Sequence, residues 1–352
     1  MNKTKVLIDT SPLSNSNQIR GVGNYTRFLT NELETIPSLE LERSTRKTST
    51  GFKPDIIHYP FFDLFFPTLP LLKKAKTVVT IHDLIPLIFP EHHQPGKRGL
   101  LSWKRQQLAL KSVSTIITDS QASKQDIVKL LKVDQDKVEV VYLAANPSIA
   151  PVSNNQIQKT RREFNLPKEY CLYVGDINYN KNLVQLIKSL KYLPERIHLV
   201  LVGKNFSERD IPEWQWIETQ ISLSDVASRV HFVNDLVGGE TDKLSAIYAG
   251  AVCYIQPSLY EGFGLPVLEA MQAMTPVVCT NNSSLIEVGG KHAVFVGSQA
   301  QELADGVLQI IGWSDEKREQ IINQANDWAQ SFNWQKTAQE TVKVYQKLID
   351  YK

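Results

Sequence analysis

Glu261 and Glu269 bracket a glycine turn, Gly262-Phe263-Gly264, which runs on into Leu265-Pro266. The apolar run at 251–255 before them reads as a buried strand. Pro266 suits the opening turn of a helix, where its missing N–H would be unpaired anyway. Glycines there leave backbone N–H groups bare at the positive end of that helix, an arrangement that binds anions such as phosphate. A carboxylate beside a phosphate site is electrostatically costly unless it accepts hydrogen bonds from hydroxyls. A ligand with both groups meets these demands, so residues 257–276 read as a cradle for a sugar nucleotide. The same residues also suit an ordinary strand–turn–helix corner with a glutamate at the helix start.

Other candidates lie elsewhere. Lys181, in Asn178-Tyr179-Asn180-Lys181-Asn182, sits near a helix start, where its charge opposes the macrodipole. An anion nearby would explain that, and so would plain solvation. His82-Asp83 closes a strand; His82 suits a hydrogen bond to a sugar hydroxyl or phosphate with Asp83 orienting it, or a structural role. Gly21-Val22-Gly23-Asn24 is a glycine-rich turn between a strand and a helix, but it matches only the first two glycines of the dinucleotide fingerprint. Asp134-Gln135-Asp136 is a DxD string in a helix-to-strand connection, away from any strand's carboxyl end, so no metal is expected. Leaving-group charge would then fall to Lys181 and backbone N–H groups.

These residues need a frame. Strands are expected at 5–9, 55–58, 77–81, 114–118 and 138–143, with helices at 25–35, 97–111 and 122–131. After a polar stretch at 147–165 the rhythm restarts. Strands at 170–174, 198–202, 230–233, 251–255, 277–280 and 293–296 alternate with helices at 182–191, 214–223, 240–248, 266–274, 301–311 and 316–331. This is α/β: two Rossmann-like doubly wound domains with parallel sheets, assigned to 1–160 and 161–331. A last helix in 332–352 is expected to pack back towards the first domain. Ligands in such sheets bind outside the carboxyl ends of strands, and two domains facing each other put the site in a central cleft.

Composition excludes several classes. A chain of 352 residues is too long for one ordinary core. Net charge is only +2, so no global field points to nucleic acid. Cys171, Cys253 and Cys279 lie in apolar runs without metal spacing and read as reduced core thiols. No export signal is expected at the start, and no apolar run reaches bilayer-spanning length, so a cytoplasmic protein is the expectation. Residues 97–111 carry five basic residues and no acid, with leucines between. They suit a helix packed on a sheet, or peripheral contact with an anionic membrane. The Phe-rich loop 60–67 suits core packing or an acceptor or membrane contact.

The segments GVGNYTRFL (21–29), HDLIPLIFP (82–90), TDSQASKQDI (118–127), VYLAANP (141–147), VGDINYNKN (174–182), HFVNDL (231–236) and PSLYEGFGLPVLEAM (257–271) cover most of the chain. With them the chain resembles glycosyltransferase family 4, retaining enzymes of the GT-B fold, and within it the mannosyltransferase-like members of bacterial polysaccharide assembly. The resemblance implies that Glu269 binds ribose hydroxyls and that Glu261 sits by the donor sugar. It implies that Lys181, the Gly21–Gly23 loop and the Gly262, Phe263, Gly264 and Leu265 turn hold the diphosphate. It places His82 on the donor sugar and Asp235 and Leu236 beside the base. Many members carry Arg before the lysine; here that donor-site position is Asn180, and one phosphate cation is missing.

The implied reaction is retaining transfer of a hexose, with mannose expected, from a nucleotide diphosphate sugar to a hydroxyl of a glycan or lipid-linked acceptor. GDP-mannose leads UDP-glucose and UDP-N-acetylglucosamine as donor, with no cofactor and no metal. Same-face substitution, with the leaving phosphate taking the acceptor proton, needs no enzymatic nucleophile. Catalysis then rests on positioning and on cations and dipoles at the departing phosphate, with Glu261, His82 and Lys181 nearest the chemistry. Two alternatives stand beside it: a sugar-nucleotide epimerase or hydrolase, which would convert donor without acceptor, and a non-enzymatic sugar-binding protein.

Overall fold

A computed structural model describes residues 3–14, 21–45, 51–207, 210–236 and 240–350. The chain divides into two compact units, Met1–Leu143 with Phe332–Lys352, and Ala144–Ser331. In the first, strands β1 (Thr4–Asp9), β2 (Leu39–Ser44), β3 (Ile56–Tyr59), β4 (Lys76–Thr80), β5 (Thr115–Thr118) and β6 (Val138–Val140) form one sheet. Its order is β2-β1-β3-β4-β5-β6, and every pair is parallel. Helices α1 (Gly21–Glu34), α2 (Ile85–Ile88), α3 (Lys97–Leu110) and α4 (Gln121–Leu131) connect these strands.

The second unit opens with α5 (Asn154–Glu163). Then β7 (Tyr170–Val174), α6 (Leu183–Ser189), β8 (His198–Val202), α7 (Pro212–Ser224) and β9 (Val230–Val233) follow. The return half holds α8 (Thr241–Ala249), β10 (Cys253–Gln256), α9 (Leu265–Gln272), β11 (Val277–Thr280), α10 (Leu285–Gly289) and β12 (Val294–Val296). Helices α11 (Ala300–Ile311) and α12 (Asp315–Gln330) complete it. The sheet order is β12-β11-β10-β7-β8-β9, again all parallel. The final helix, α13 (Trp334–Asp350), belongs to the first unit. No helix among the described residues is long and apolar enough to cross a membrane.

Sheets covered on both faces need strands that are apolar throughout. β5 and β10 are buried at every position, and β4 at all but its first. β2 breaks that rule and was not expected from the sequence. Its Glu40, Glu42 and Arg43 suit a sheet edge, where charge discourages further pairing. GVGN lies within α1, not in a turn ahead of it. The expected division at 160 falls inside α5, which opens with a Ser153–Gln156 capping box and belongs to the second unit. α3 buries Gln106, Ala109 and Leu110, while Leu100, Leu101 and Leu108 stay exposed.

Helix α13 is joined to the first sheet through a buried polar chain. Tyr345 Oη lies 2.6 Å from His58 Nδ1, and His58 Nε2 lies 2.8 Å from Thr80 Oγ1. Thr80 Oγ1 meets Tyr25 Oη at 3.0 Å. Trp334 adds ring contacts to Phe28 and Tyr25, with centroids 5.3 and 6.1 Å apart. Burial, helped by the charge of His82, pushes the His58 pKa down to about 3, so the ring is neutral.

An unfolded histidine takes up its proton near pH 6.5, whereas folded His58 resists it until about 3. The stability it confers is therefore present above pH 6.5 and lost as pH falls, by about 1.4 kcal/mol per unit. Denaturant titrations between pH 6.5 and 5 should show that slope in the wild type and a shallower one in His58→Gln. Equal slopes would remove His58 from the acid response.

Candidate active site

The second sheet reverses direction between β7 and β10. From β7 the chain steps outward to β8 and β9, then returns to the other side of β7 for β10, β11 and β12. Ligands of open α/β sheets bind at such a switch point, outside the carboxyl ends of the strands. The β7 loop carries Lys181 and the β10 loop carries Glu261; Lys181 Nζ lies 2.6 Å from Glu261 Oε1. Gln256 Nε2 and Ser258 Oγ donate to the same oxygen at 2.8 and 2.6 Å. Glu261 Oε1 thus takes three donors, whereas Oε2 accepts no hydrogen bond among the described residues. Lysine has three N–H donors, and only one of them is committed here.

The two loops are stitched together by their backbones. Leu259 N–H donates to the Asn180 carbonyl at 2.7 Å, and Asn180 Nδ2 donates to the Tyr260 carbonyl at 3.0 Å. Asn180 is 2 % exposed. The residue expected at the donor site thus ties the β7 loop to the β10 loop. Asn182, held at φ 56°, gives its amide to the Pro257 and Ser298 carbonyls at 3.0 and 2.9 Å. Ser283 Oγ accepts from Glu261 N–H at 3.0 Å, and Ser284 Oγ donates to the Glu261 and Phe263 carbonyls at 2.9 and 2.8 Å.

Gly262, Phe263 and Gly264 are buried and lead directly into α9, with Leu265 half-buried as its first residue. Gly264 has φ 104°, in the left-handed region, and a Cβ there would lie 2.8 Å from Leu285 Cδ2. No side chain caps α9; Pro266 has no N–H, and Val267 N–H donates to the Gly264 carbonyl at 3.0 Å. One turn along, Glu269 Oε2 accepts from Tyr248 Oη at 3.1 Å. Burial raises the Glu269 pKa, opposed by the bonds from Tyr248 and the Asn146 backbone. Asp235 and Leu236 follow edge strand β9, at the same carboxyl end of the sheet. They stand three strands from β10, roughly 14 Å along the sheet.

The first-unit candidates form a separate group. Gly21 is exposed and Gly23 buried in the first turn of α1. His82 follows β4, and both of its nitrogens are engaged: Nδ1 lies 2.7 Å from Asp119 Oδ2 and Nε2 lies 3.2 Å from the Pro60 carbonyl. Two acceptors call for two N–H groups, the imidazolium form. Burial opposes that charge, but Asp119, Asp83 and the Pro60 carbonyl outweigh it and raise the His82 pKa. His82 is thus biased towards its protonated form and oriented by Asp119, not by Asp83, whose Oδ1 accepts from Ile85 N–H at 3.0 Å; burial raises the Asp119 pKa as well, against the pull of His82. Asp134 of the DxD string caps its own 3-10 turn, accepting from Asp136 N–H at 3.1 Å.

Family models match both halves of the chain: glycosyltransferase family 4 over residues 10–148 and glycosyl transferases group 1 over 154–328. The chain belongs to glycosyltransferase family 4. The O-antigen chain mannosyltransferase B of Escherichia coli is 29 % identical over 84 % of this chain and 75 % of its own length. Among solved structures, a sucrose-phosphate synthase from Thermosynechococcus elongatus matches with a TM-score of 0.73 at 19 % identity, covering all of both chains. Anabaena HepE, in complex with UDP and glucose, matches at 0.72 and 18 % identity, over 98 % of this chain and all of its own. These likenesses show the GT-B fold, two Rossmann-like units in one chain.

Seen as a family 4 glycosyltransferase, the chain has site residues that sequence reasoning passed over. Gln256 and Ser258 sit just ahead of Glu261, and the Ser-x-x-Glu spacing was a visible signal. Ser283 and Ser284 come from the turn after β11 and carry no local signal. Asp119 lay inside a quoted family segment but had no assigned role.

The raised His82 pKa means that its stabilising contribution is fully present below pH 6.5 and lost as pH rises through the folded value. Asp119→Asn, which leaves a buried cation unpaired, should destabilise by about 3–5 kcal/mol at pH 6. That gap should narrow towards pH 9, as read from urea midpoints. A gap independent of pH would show that the pair carries no net charge separation.

Proposed function

We propose that the protein transfers a mannosyl group, with retention and without metal, from a nucleotide diphosphate sugar to a hydroxyl of a glycan or lipid-linked acceptor. The observation that carries this reading is the clamped Lys181–Glu261 pair beside the uncapped start of α9, at the switch point of the second sheet. Lys181 has two N–H groups left for a phosphate oxygen while it holds Glu261. Glu261 Oε2 is left to accept from a sugar hydroxyl, and Glu269 from a ribose hydroxyl. As the bond to the leaving diphosphate lengthens, negative charge grows on its oxygens. Lys181 and the amide end of α9 are already oriented to meet it, which is electrostatic preorganisation. The leaving phosphate takes the acceptor proton, so no side-chain nucleophile is required.

Mannose, and GDP as its carrier, are proposed from the likeness to the E. coli mannosyltransferase. The first unit is proposed to receive the acceptor, with a peripheral position on a cytoplasmic membrane face.

Two measurements test this. Lys181→Ala should lower kcat by about 10²–10³ with the fold intact by circular dichroism, the loss typical of one preorganised contact. Activity within a few-fold of wild type would remove Lys181 from the chemistry, and turnover should persist in a chelator. Guanosine diphosphate at about 100 times its Kd should stabilise the protein by roughly 2.7 kcal/mol. A larger melting shift with uridine or adenosine diphosphate would reassign the base.

A further inference from the structure

The face of the first sheet opposite His58 holds a cavity with no assigned role. Side chains alternate along a strand. Leu7 and Ile57, register partners on β1 and β3, therefore lie on the face away from Val6, Ile8 and His58. Farther across that face, α3 and α4 cover Val79, Ile116 and Val138 with Ala109 and Ile127. Between β2 and β3 the described residues contain no helix. There Leu7 and Ile57 floor an open cavity of about 630 Å³, covered in part by the segment that carries the buried Leu69, with the exposed Leu72 at its rim. That is within the roughly 300–1,000 Å³ of small-molecule sites. Ser44 and Tyr59, at the carboxyl ends of β2 and β3, also line it, so it reaches the edge where such sheets bind ligands.

The covering segment is anchored. Leu69 N–H donates to Gln106 Oε1 at 3.2 Å, and Gln106 Nε2 donates to the Asp63 carbonyl and Thr68 Oγ1 at 2.8 and 2.7 Å. Charge around the cavity is one-sided. Lys74 and Arg105 line it, and neither pairs with a carboxylate among the described residues. Neighbouring Lys73 has its pKa pushed down to about 8 by burial and by Arg105. Outside, Phe66, Leu71 and Leu72 of the covering segment are exposed, as are Leu101 and Leu108 of α3. Lys97 and Lys104 are exposed on the same helix. The lining mixes the apolar side chains of Leu7, Ile57 and Leu69 with the polar Ser44, Thr45 and Tyr59 towards the sheet edge, which suits a ligand with an apolar part and a polar end. Unanswered cations disfavour a neutral lipid.

We infer that the cavity takes the apolar chain of an anionic amphiphile, with its phosphate held by Lys74 and Arg105 at the mouth. On the transferase reading above, this is the lipid-phosphate end of a lipid-linked acceptor.

The test titrates dodecyl phosphate, below its micelle concentration, calorimetrically into the full-length protein. Saturable one-to-one binding is expected, with dodecanol and inorganic phosphate each at least about tenfold weaker, since both parts of the ligand contribute. Leu7→Trp, which fills the cavity from its floor, and the exposed Lys74→Glu should each weaken binding about tenfold or more while keeping the nucleoside diphosphate melting shift. Unchanged affinity in Leu7→Trp would overturn the cavity, and so would inorganic phosphate binding as tightly as the amphiphile. Phosphatidylglycerol vesicles bound equally by wild type and Leu7→Trp, with no free dodecyl phosphate bound, would overturn it in favour of the outer leucine surface. Dodecyl phosphate binding without any nucleoside diphosphate shift would support the cavity and sink the transferase reading.

Discussion

The Lys181–Glu261 pair is the constraint on which the second unit depends. The two side chains are 20 % and 9 % exposed, and a lone charge that deep costs several kcal/mol in lost hydration. Each charge answers the other, and Gln256 and Ser258 complete the carboxylate's shell. The partners arrive on different loops, from neighbouring strands β7 and β10. The pair therefore exists only when both loops hold one geometry. That requirement accounts for the Asn180 and Asn182 bonds, the serine contacts after β11 and the left-handed Gly264. It reaches down into the sheet, where Cys171 and Cys253 are register partners on the two strands.

The first unit meets a related demand differently. Two of its buried polar arrangements are the hydroxyl chain around neutral His58 and the His82–Asp119 pair. Tyr25 belongs to both, bonding Thr80 and meeting the His82 ring edge-on at 4.7 Å. One histidine is held neutral by burial and the other is biased towards its protonated form by a carboxylate. Helix α13 closes the first arrangement through Tyr345, so the last residues of the chain complete the interior of the unit that the first residues begin.

Much of this was legible in the sequence because buried parallel strands carry near-continuous apolar runs. β7 and the inner residues of β4, β5 and β10 announce themselves in that way. β2 did not, because an edge strand tolerates charge and LELERS has no apolar run. The GVGN segment was read as a turn because glycines lower helix propensity, yet it is helical all the same. In the site, Glu261, Lys181 and Gly264 were legible because each breaks a local rule: a carboxylate near a phosphate turn, a lysine at a helix start, a glycine that nothing else can replace. Their direct pairing was not legible, since Lys181 and Glu261 are 80 residues apart and meet only through strand order. The bond that Asn180 makes was not legible for the same reason; its partner, the Tyr260 carbonyl, belongs to the other loop.

Asn180 also bears on how a diphosphate would be held. With that amide buried against a carbonyl, the position offers the site no charge. The charge of Lys181 is cancelled by Glu261 at 2.6 Å, and the α9 terminus supplies only about half a unit. A net charge of +2 over the whole chain adds no strong steering field. The proposed donor would therefore be held less by bulk Coulomb attraction than by N–H groups aimed at its oxygens. Directed hydrogen bonds weaken steeply with misalignment, whereas a bare charge does not. A site that relies on direction needs its loops fixed, and the stitching of the β7 loop to the β10 loop supplies that rigidity.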